Sequence, residues 1–156
     1  MPIVNLTYNI AEAHLSGSFG GAVIDCTAVS GGRAGTTTRG AGNWYLQNNA
    51  LATSIHHGGD RFGPLPMGFY WMYPHESKKH MVRLEPFPSN YMFGRSGFLI
   101  HGRGKIGSHG CIVPGDPHDL HKVCAAVASF IKLRKTHPVL EVIAVGSNVD
   151  DKFFTA

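Results

Sequence analysis

Glycine is the residue that most constrains what this chain can fold into. The 156 residues include 20 glycines, about twice the share of an average protein, whereas only 15% are charged and about 25% is typical. Frequent glycine implies turns and close backbone approaches, so strands with functional loops are favoured over a helical bundle. We predict a mainly β fold in a single domain, residues 1–156, because the length suits one domain and no linker-like segment interrupts the composition.

Local patterns predict the elements of this fold. Short apolar runs between residues 3 and 29 predict a β-meander with a turn near Gly20 and Gly21. Further strands are predicted at residues 69–73, 98–100 and 139–145. Residues 30–49 are rich in Gly, Thr and Asn and are predicted to form a long surface loop.

One helix is predicted in the C-terminal half. Asp116 is a favourable N-cap, Pro117 suits the first helical position, and the pattern continues to about Lys135. The apolar face is predicted to contain Leu120, Val123, Cys124, Val127, Phe130 and Ile131. We therefore expect Cys124 to be a core residue, and Cys26, next to an apolar strand, to be inert.

Charge and cysteine content narrow the possible functions. The formal net charge is +4, but the basic residues are scattered, so an anionic polymer such as a cell wall is a plausible partner and nucleic acid is not expected. No apolar run is long enough to cross a membrane. Three cysteines leave at least one free thiol. The N-terminus lacks a signal-peptide pattern, so we expect synthesis in the cytoplasm.

The segment from residue 98 to residue 116 concentrates chemistry. It contains two histidines, one cysteine and five glycines. A thiolate nucleophile needs a base to accept its proton and backbone N–H groups to stabilise the oxyanion that forms on the attacked carbonyl. His101 ends a predicted strand and Cys111 follows ten residues later, so a return of the chain could bring the imidazole and the sulfur together.

The same segment resembles a known enzyme family. Residues 108–112, Ser-His-Gly-Cys-Ile, resemble the signature of L,D-transpeptidases, and they follow a strand-ending His101-Gly102 as in that family. Residues 63–70 and 28–31 are similar to the segments that precede the site. The short interval from histidine to cysteine and the approach at residues 94–98 look most like a compact subgroup of antibacterial effectors delivered by type VI secretion.

The resemblance implies a fold and a set of residue roles. It implies an L,D-transpeptidase-like β-sandwich in which Cys111 is the nucleophile, His101 is the general base and the Gly102 carbonyl orients the imidazole. Neither a cofactor nor a metal is implied. The oxyanion hole would be formed by the backbone N–H groups of His109, Gly110 and Cys111.

The chain also departs from the family pattern. Val113 stands where many members carry arginine two residues after the cysteine. Arg103 and Arg95 are therefore candidates to bind a substrate carboxylate, because a guanidinium matches carboxylate geometry. Ser108 is a candidate to anchor the loop that precedes the cysteine.

The implied activity is acyl transfer on peptidoglycan stem peptides. Water as acceptor would make the chain an L,D-carboxypeptidase that trims tetrapeptides, and a free D-amino acid would make it an exchange transpeptidase. As a type VI secretion effector it would act in the periplasm of a target bacterium, with a secretion carrier and an immunity protein as further partners.

Two other functions remain open from the residues alone. A zinc-dependent peptidoglycan hydrolase could use histidine, cysteine and aspartate ligands from His56, His57, Asp60, His101, His109 and Cys111. A cell-wall-binding module without chemistry could use the aromatic residues Trp44, Tyr45, Trp71 and Tyr73.

Overall fold

A computed structural model describes residues 2–31, 56–57, 60–61, 63–102 and 110–146. Within those ranges the chain forms strands and one helix, α1 (Pro117–Arg134). The strands are β1 (Leu6–Asn9), β2 (His14–Phe19), β3 (Ala22–Ser30), β4 (His56–His57), β5 (Asp60–Arg61), β6 (Gly68–Pro74), β7 (Val82–Pro86), β8 (Leu99–Ile100), β9 (Ile112–Pro114) and β10 (Val139–Ile143). The fold is therefore mainly β with one helix in the C-terminal half, which confirms the prediction at that level.

Eight of these strands close into a barrel. Their order around it is β1, β10, β6, β7, β8, β9, β3 and β2, whereas β4 and β5 pair with each other. The β1–β10 and β8–β9 pairs are parallel, and the other pairs of the barrel are antiparallel. The strands thus form one closed wall, which agrees with a mainly β fold without specifying a sandwich.

Period-two burial explains why these segments are strands. In β3 the side chains of Ile24, Cys26, Ala28 and Ser30 are buried, and the residues between them are more exposed. The β2–β3 hairpin turns at Gly20 and Gly21, whose φ angles of 58° and 81° suit glycine. The predicted turn at these two residues is confirmed.

Helix α1 begins and ends where its sequence indicates. The Asp116 carboxylate accepts a hydrogen bond from the His118 N–H at 2.8 Å, Pro117 lies at the start, and Lys135 ends the helix in a left-handed conformation. Its buried residues are Leu120, Val123, Ala126 and Val127, and Cys124, Phe130 and Ile131 pack against the same core. In the described part of the chain, no helix has the length and apolar character that crossing a membrane requires.

The predicted elements differ from the observed ones in extent. Strands β4, β5, β7 and β9 were not predicted, and strand β10 ends at Ile143 rather than at residue 145. Of the predicted long loop at 30–49, Ser30 ends β3 and residues 32–49 lie outside the described residues.

Candidate active site

The parallel pair of β8 and β9 positions the two candidate catalytic side chains. Ile100 pairs with Ile112, and the His101 N–H donates to the Ile112 carbonyl at 3.0 Å. His101 follows Ile100 directly, and Cys111 directly precedes Ile112. The two residues therefore occupy diagonal positions across one strand pair.

Strand alternation places the side chains of His101 and Cys111 on the same face of the β8–β9 pair. Ile100 and Ile112 are fully buried in the core. Because side chains alternate between the faces of a strand, the residues that flank these isoleucines project to the other face. Diagonal neighbours on one face are within reach of long side chains. The strand pairing thus gives His101 and Cys111 a common face, where each is partly exposed.

The imidazole of His101 is oriented by its own neighbour in the chain. Its Nδ1 lies 2.6 Å from the Gly102 carbonyl oxygen. A carbonyl oxygen only accepts hydrogen bonds, so Nδ1 carries the proton and donates it. In the neutral ring Nε2 then has the free lone pair, which is the form that a general base requires.

The thiol of Cys111 occupies a position in the hydrogen-bond ladder. In a parallel strand pair, every second N–H of one strand donates to every second carbonyl of its neighbour. Because the His101 N–H donates to the Ile112 carbonyl, the same spacing would direct the Leu99 N–H to the Gly110 carbonyl. Instead, the Leu99 N–H donates to the Cys111 Sγ at 3.3 Å, and the Gly110 carbonyl accepts from the Ser30 hydroxyl at 2.7 Å. A strand N–H is therefore directed at the sulfur.

Burial and polar neighbours act on the thiol in opposite directions. Burial raises the pKa of Cys111, whereas the Leu99 N–H and the positive charge of Arg95 lower it. Because burial is the larger effect, the thiol has a pKa above its ordinary value. Nucleophilic use of Cys111 therefore requires a base that accepts its proton.

A group of buried contacts fixes the backbone beside Cys111. We call Ser30, Gly63, Pro64, Arg95 and Gly110 the support cluster. The Ser30 side chain is fully buried; besides donating to Gly110, it accepts the Leu65 N–H at 3.1 Å. One hydroxyl thereby joins the end of β3, the segment at 63–65 and the residue before Cys111.

Arg95 completes the support cluster. Its Nη1 donates to the Pro64 carbonyl at 2.7 Å, and its Nη2 donates to the Gly63 carbonyl at 2.9 Å. A Cβ added at Gly110 would lie 2.5 Å from Nη2 of Arg95, so the guanidinium packs against the backbone that precedes Cys111. Arg95, predicted to bind a substrate carboxylate, thus holds two backbone carbonyls at this site.

The structure places the other predicted site residues as follows. Arg103, Ser108 and His109 lie outside the described residues. Gly102 lies beside the imidazole that its carbonyl orients, and Gly110 is buried with a φ of 114°. Val113 is only 2% exposed and pairs with Val29, so this position suits an apolar side chain.

The features behind the two alternative functions are only partly described. Among the residues that the structure covers, no three His, Cys, Asp or Glu side chains form a metal-binding group; His109 and the side chains of His56, His57 and Asp60 lie outside that part. Trp44 and Tyr45 also lie outside it. The rings of Trp71 and Phe87 are stacked with their centres 4.1 Å apart, and the ring centres of Tyr73 and His137 are 3.8 Å apart.

The remaining cysteines are part of the core. Cys26 is 8% exposed in β3, and Cys124 packs against the core from α1. Burial is the main effect that raises the pKa of each thiol to about 11. All three cysteines are free thiols. The expected core position of Cys124 agrees with its packing.

Sequence reasoning gave no role to Ser30 or to the Leu99 N–H. Ser30 continues the inward positions Ile24, Cys26 and Ala28 of β3, so a hydroxyl in an apolar alternation was a usable signal. The backbone N–H of Leu99 carries no sequence signal, because its partner depends on how β8 and β9 align.

We compared the chain with protein-family models, curated proteins and solved structures, and none of them matches it. The functional assignment therefore rests on the geometry around Cys111 and on the resemblance of its sequence segment.

Proposed function

We propose that this chain is a cysteine-dependent acyltransferase that acts on peptidoglycan stem peptides. The observation that carries the proposal is the 2.6 Å hydrogen bond from His101 Nδ1 to the Gly102 carbonyl, on the strand pair that also positions Cys111. This bond leaves Nε2 as the base, without a carboxylate as the third member of a triad. The resemblance of residues 98–112 to L,D-transpeptidases supplies the substrate class.

The reaction follows from these roles. His101 Nε2 accepts the thiol proton as Cys111 Sγ attacks the carbonyl carbon of the third stem residue. The tetrahedral intermediate collapses when its C–N bond breaks, and the protonated imidazole gives the proton to the departing D-amino acid amine. A thioester on Cys111 remains. An acceptor then attacks the thioester, His101 accepts the acceptor's proton, and the thiol is regenerated.

The acceptor determines the product. Water gives L,D-carboxypeptidase trimming of tetrapeptides, a free D-amino acid gives exchange, and a second stem gives a crosslink. Trimming and exchange both consume donors for crosslinks and weaken a wall, which fits an antibacterial toxin. We therefore favour these two products over crosslinking.

The proposal includes a fold and a biological setting. The L,D-transpeptidase-like β-sandwich belongs to it, and the closed barrel shares with a sandwich a core enclosed by strand walls. The setting is a type VI secretion effector acting in the periplasm of a target bacterium, with a carrier protein and an immunity protein. The resemblance at residues 94–112 supports this setting.

Purified tetrapeptide muropeptides test the activity. We expect the wild-type protein to release the terminal D-amino acid, or to exchange it for an isotopically labelled one, and Cys111→Ala to do neither. Cys124→Ala is the matched control, because it removes a thiol that packs on the core. Absence of any mass change that depends on Cys111 would refute the proposal.

A further inference from the structure

Contacts with Gly63, Pro64 and Phe98 hold the guanidinium of Arg95 in place. Two nitrogens donate to the carbonyl oxygens of Gly63 and Pro64, at 2.9 Å and 2.7 Å. The guanidinium carbon lies 5.1 Å from the centre of the Phe98 ring, which is a cation–π distance. The two hydrogen bonds and the Phe98 ring together restrict the position of the guanidinium.

This fixed group lies against the residue before Cys111. A Cβ at Gly110 would approach both Nη2 of Arg95 and Cε1 of Phe98 to 2.5 Å, so both side chains pack where other residues carry a Cβ. Gly110 is buried, and its φ of 114° favours glycine. The position of Arg95 and the course of the backbone into Cys111 therefore depend on each other.

The charge of Arg95 also affects the site. Its hydrogen bonds to the Gly63 and Pro64 carbonyls hold the charged guanidinium in place next to Gly110. A nearby positive charge favours the thiolate form of cysteine. The positive charge of Arg95 lowers the pKa of Cys111, against the larger effect of burial.

We propose that Arg95 is a positioning residue for the Cys111 thiolate: its guanidinium packs on Gly110, the residue before Cys111, and there it both fixes the backbone and supplies a positive charge. The inference rests on the proposed function, in which Cys111 is the nucleophile. It differs from the role expected from the sequence, in which Arg95 binds a substrate carboxylate. The two roles predict different results.

Alkylation without substrate tests the inference. The rate at which iodoacetamide modifies Cys111 is followed by peptide mass spectrometry from neutral to alkaline pH in wild type, Arg95→Met and Arg95→Lys. We expect Arg95→Met to react about three- to tenfold more slowly at neutral pH, with its profile displaced to higher pH. Arg95→Lys, which keeps the charge, should recover most of the wild-type rate.

Arg83→Met is the matched control. Arg83 also lies over an aromatic ring, 4.4 Å from the centre of Tyr73, but it forms ion pairs with Glu76 and Glu85 that offset its charge. We expect its alkylation profile to match that of wild type. Circular dichroism establishes which variants are folded.

Each outcome bears on the inference. A folded Arg95→Met with the wild-type alkylation profile overturns it; if KM for muropeptides rises in that variant, Arg95 binds substrate instead. If Arg95→Met does not fold, Arg95→Gln decides, because it removes the charge and keeps a side-chain N–H donor for a backbone carbonyl: a profile displaced to higher pH supports the inference, and a profile like that of wild type overturns it. Because alkylation needs no muropeptide, an Arg95-dependent thiolate in a protein inactive on muropeptides would refute the proposed function alone.

Discussion

Replacing Gly110 by alanine tests the packing around the backbone that leads into Cys111. The new Cβ would lie 2.5 Å from Arg95 Nη2 and 2.5 Å from the Phe98 ring, at a φ of 114°. A non-glycine residue in a sparsely populated backbone region costs about 1–3 kcal/mol, and overpacking a filled site costs about 1–3 kcal/mol more. We therefore expect Gly110→Ala to lower the free energy of unfolding by about 4 kcal/mol.

Gly97→Ala is the matched control for this prediction. Gly97 has a φ of 79°, but a Cβ there would have no atom within 4 Å among the described residues. This variant should lose only the backbone part, about 1–3 kcal/mol. Urea denaturation followed by tryptophan fluorescence measures both variants. If Gly110→Ala is no less stable than Gly97→Ala, the close packing of Arg95 and Phe98 on Gly110 is wrong.

Two further predictions concern buried groups. Ser30→Ala removes the buried hydroxyl that donates to Gly110 and accepts from Leu65, and we expect it to lower the free energy of unfolding, measured in urea, by about 2–4 kcal/mol. Ser18→Ala is the control, because Ser18 is an exposed serine in a strand. Equal losses in the two variants would contradict this prediction. Burial raises the pKa of the Cys26 and Cys124 thiols from 9.0 to about 11 in the folded protein. Between these two values the unfolded chain has lost the thiol protons that the folded protein keeps, so the free energy of unfolding should fall as pH rises from 9.0 towards 11. The Cys26→Ala/Cys124→Ala protein should show a shallower decline in urea denaturation, and an equally steep decline would refute this origin.

Local sequence signals predicted the elements that depend on local chemistry. Asp116 followed by Pro117 marks the start of α1, and Gly20 with Gly21 marks the β2–β3 turn. Barrel closure depends instead on the parallel pairing of β1 with β10, the first and last strands of the described residues, which no local pattern encodes. The mainly β class was therefore predictable, and the closed barrel was not.

In the candidate site, too, some contacts could be predicted from the sequence and others could not. His101 and Gly102 are adjacent in sequence, so their hydrogen bond could be expected from the resemblance, as could the placement of Cys111 beside the next strand. The partners of Arg95 lie 31 and 32 residues away, and their carbonyls carry no side-chain signal. An arginine flanking the loop therefore suggested a carboxylate ligand, whereas its hydrogen bonds to residues 63 and 64 are with backbone carbonyls.

The central claim, that Cys111 carries the acyl group and His101 moves its proton, is tested most directly by intact-protein mass spectrometry of acid-quenched reactions with a tetrapeptide muropeptide. We predict a hydroxylamine-labile adduct on Cys111 whose mass equals the substrate less its terminal D-amino acid. The adduct should be absent from Cys111→Ala and should form much more slowly in His101→Ala. Release of the D-amino acid by Cys111→Ala at the wild-type rate, with no adduct on the wild-type thiol, would contradict the account.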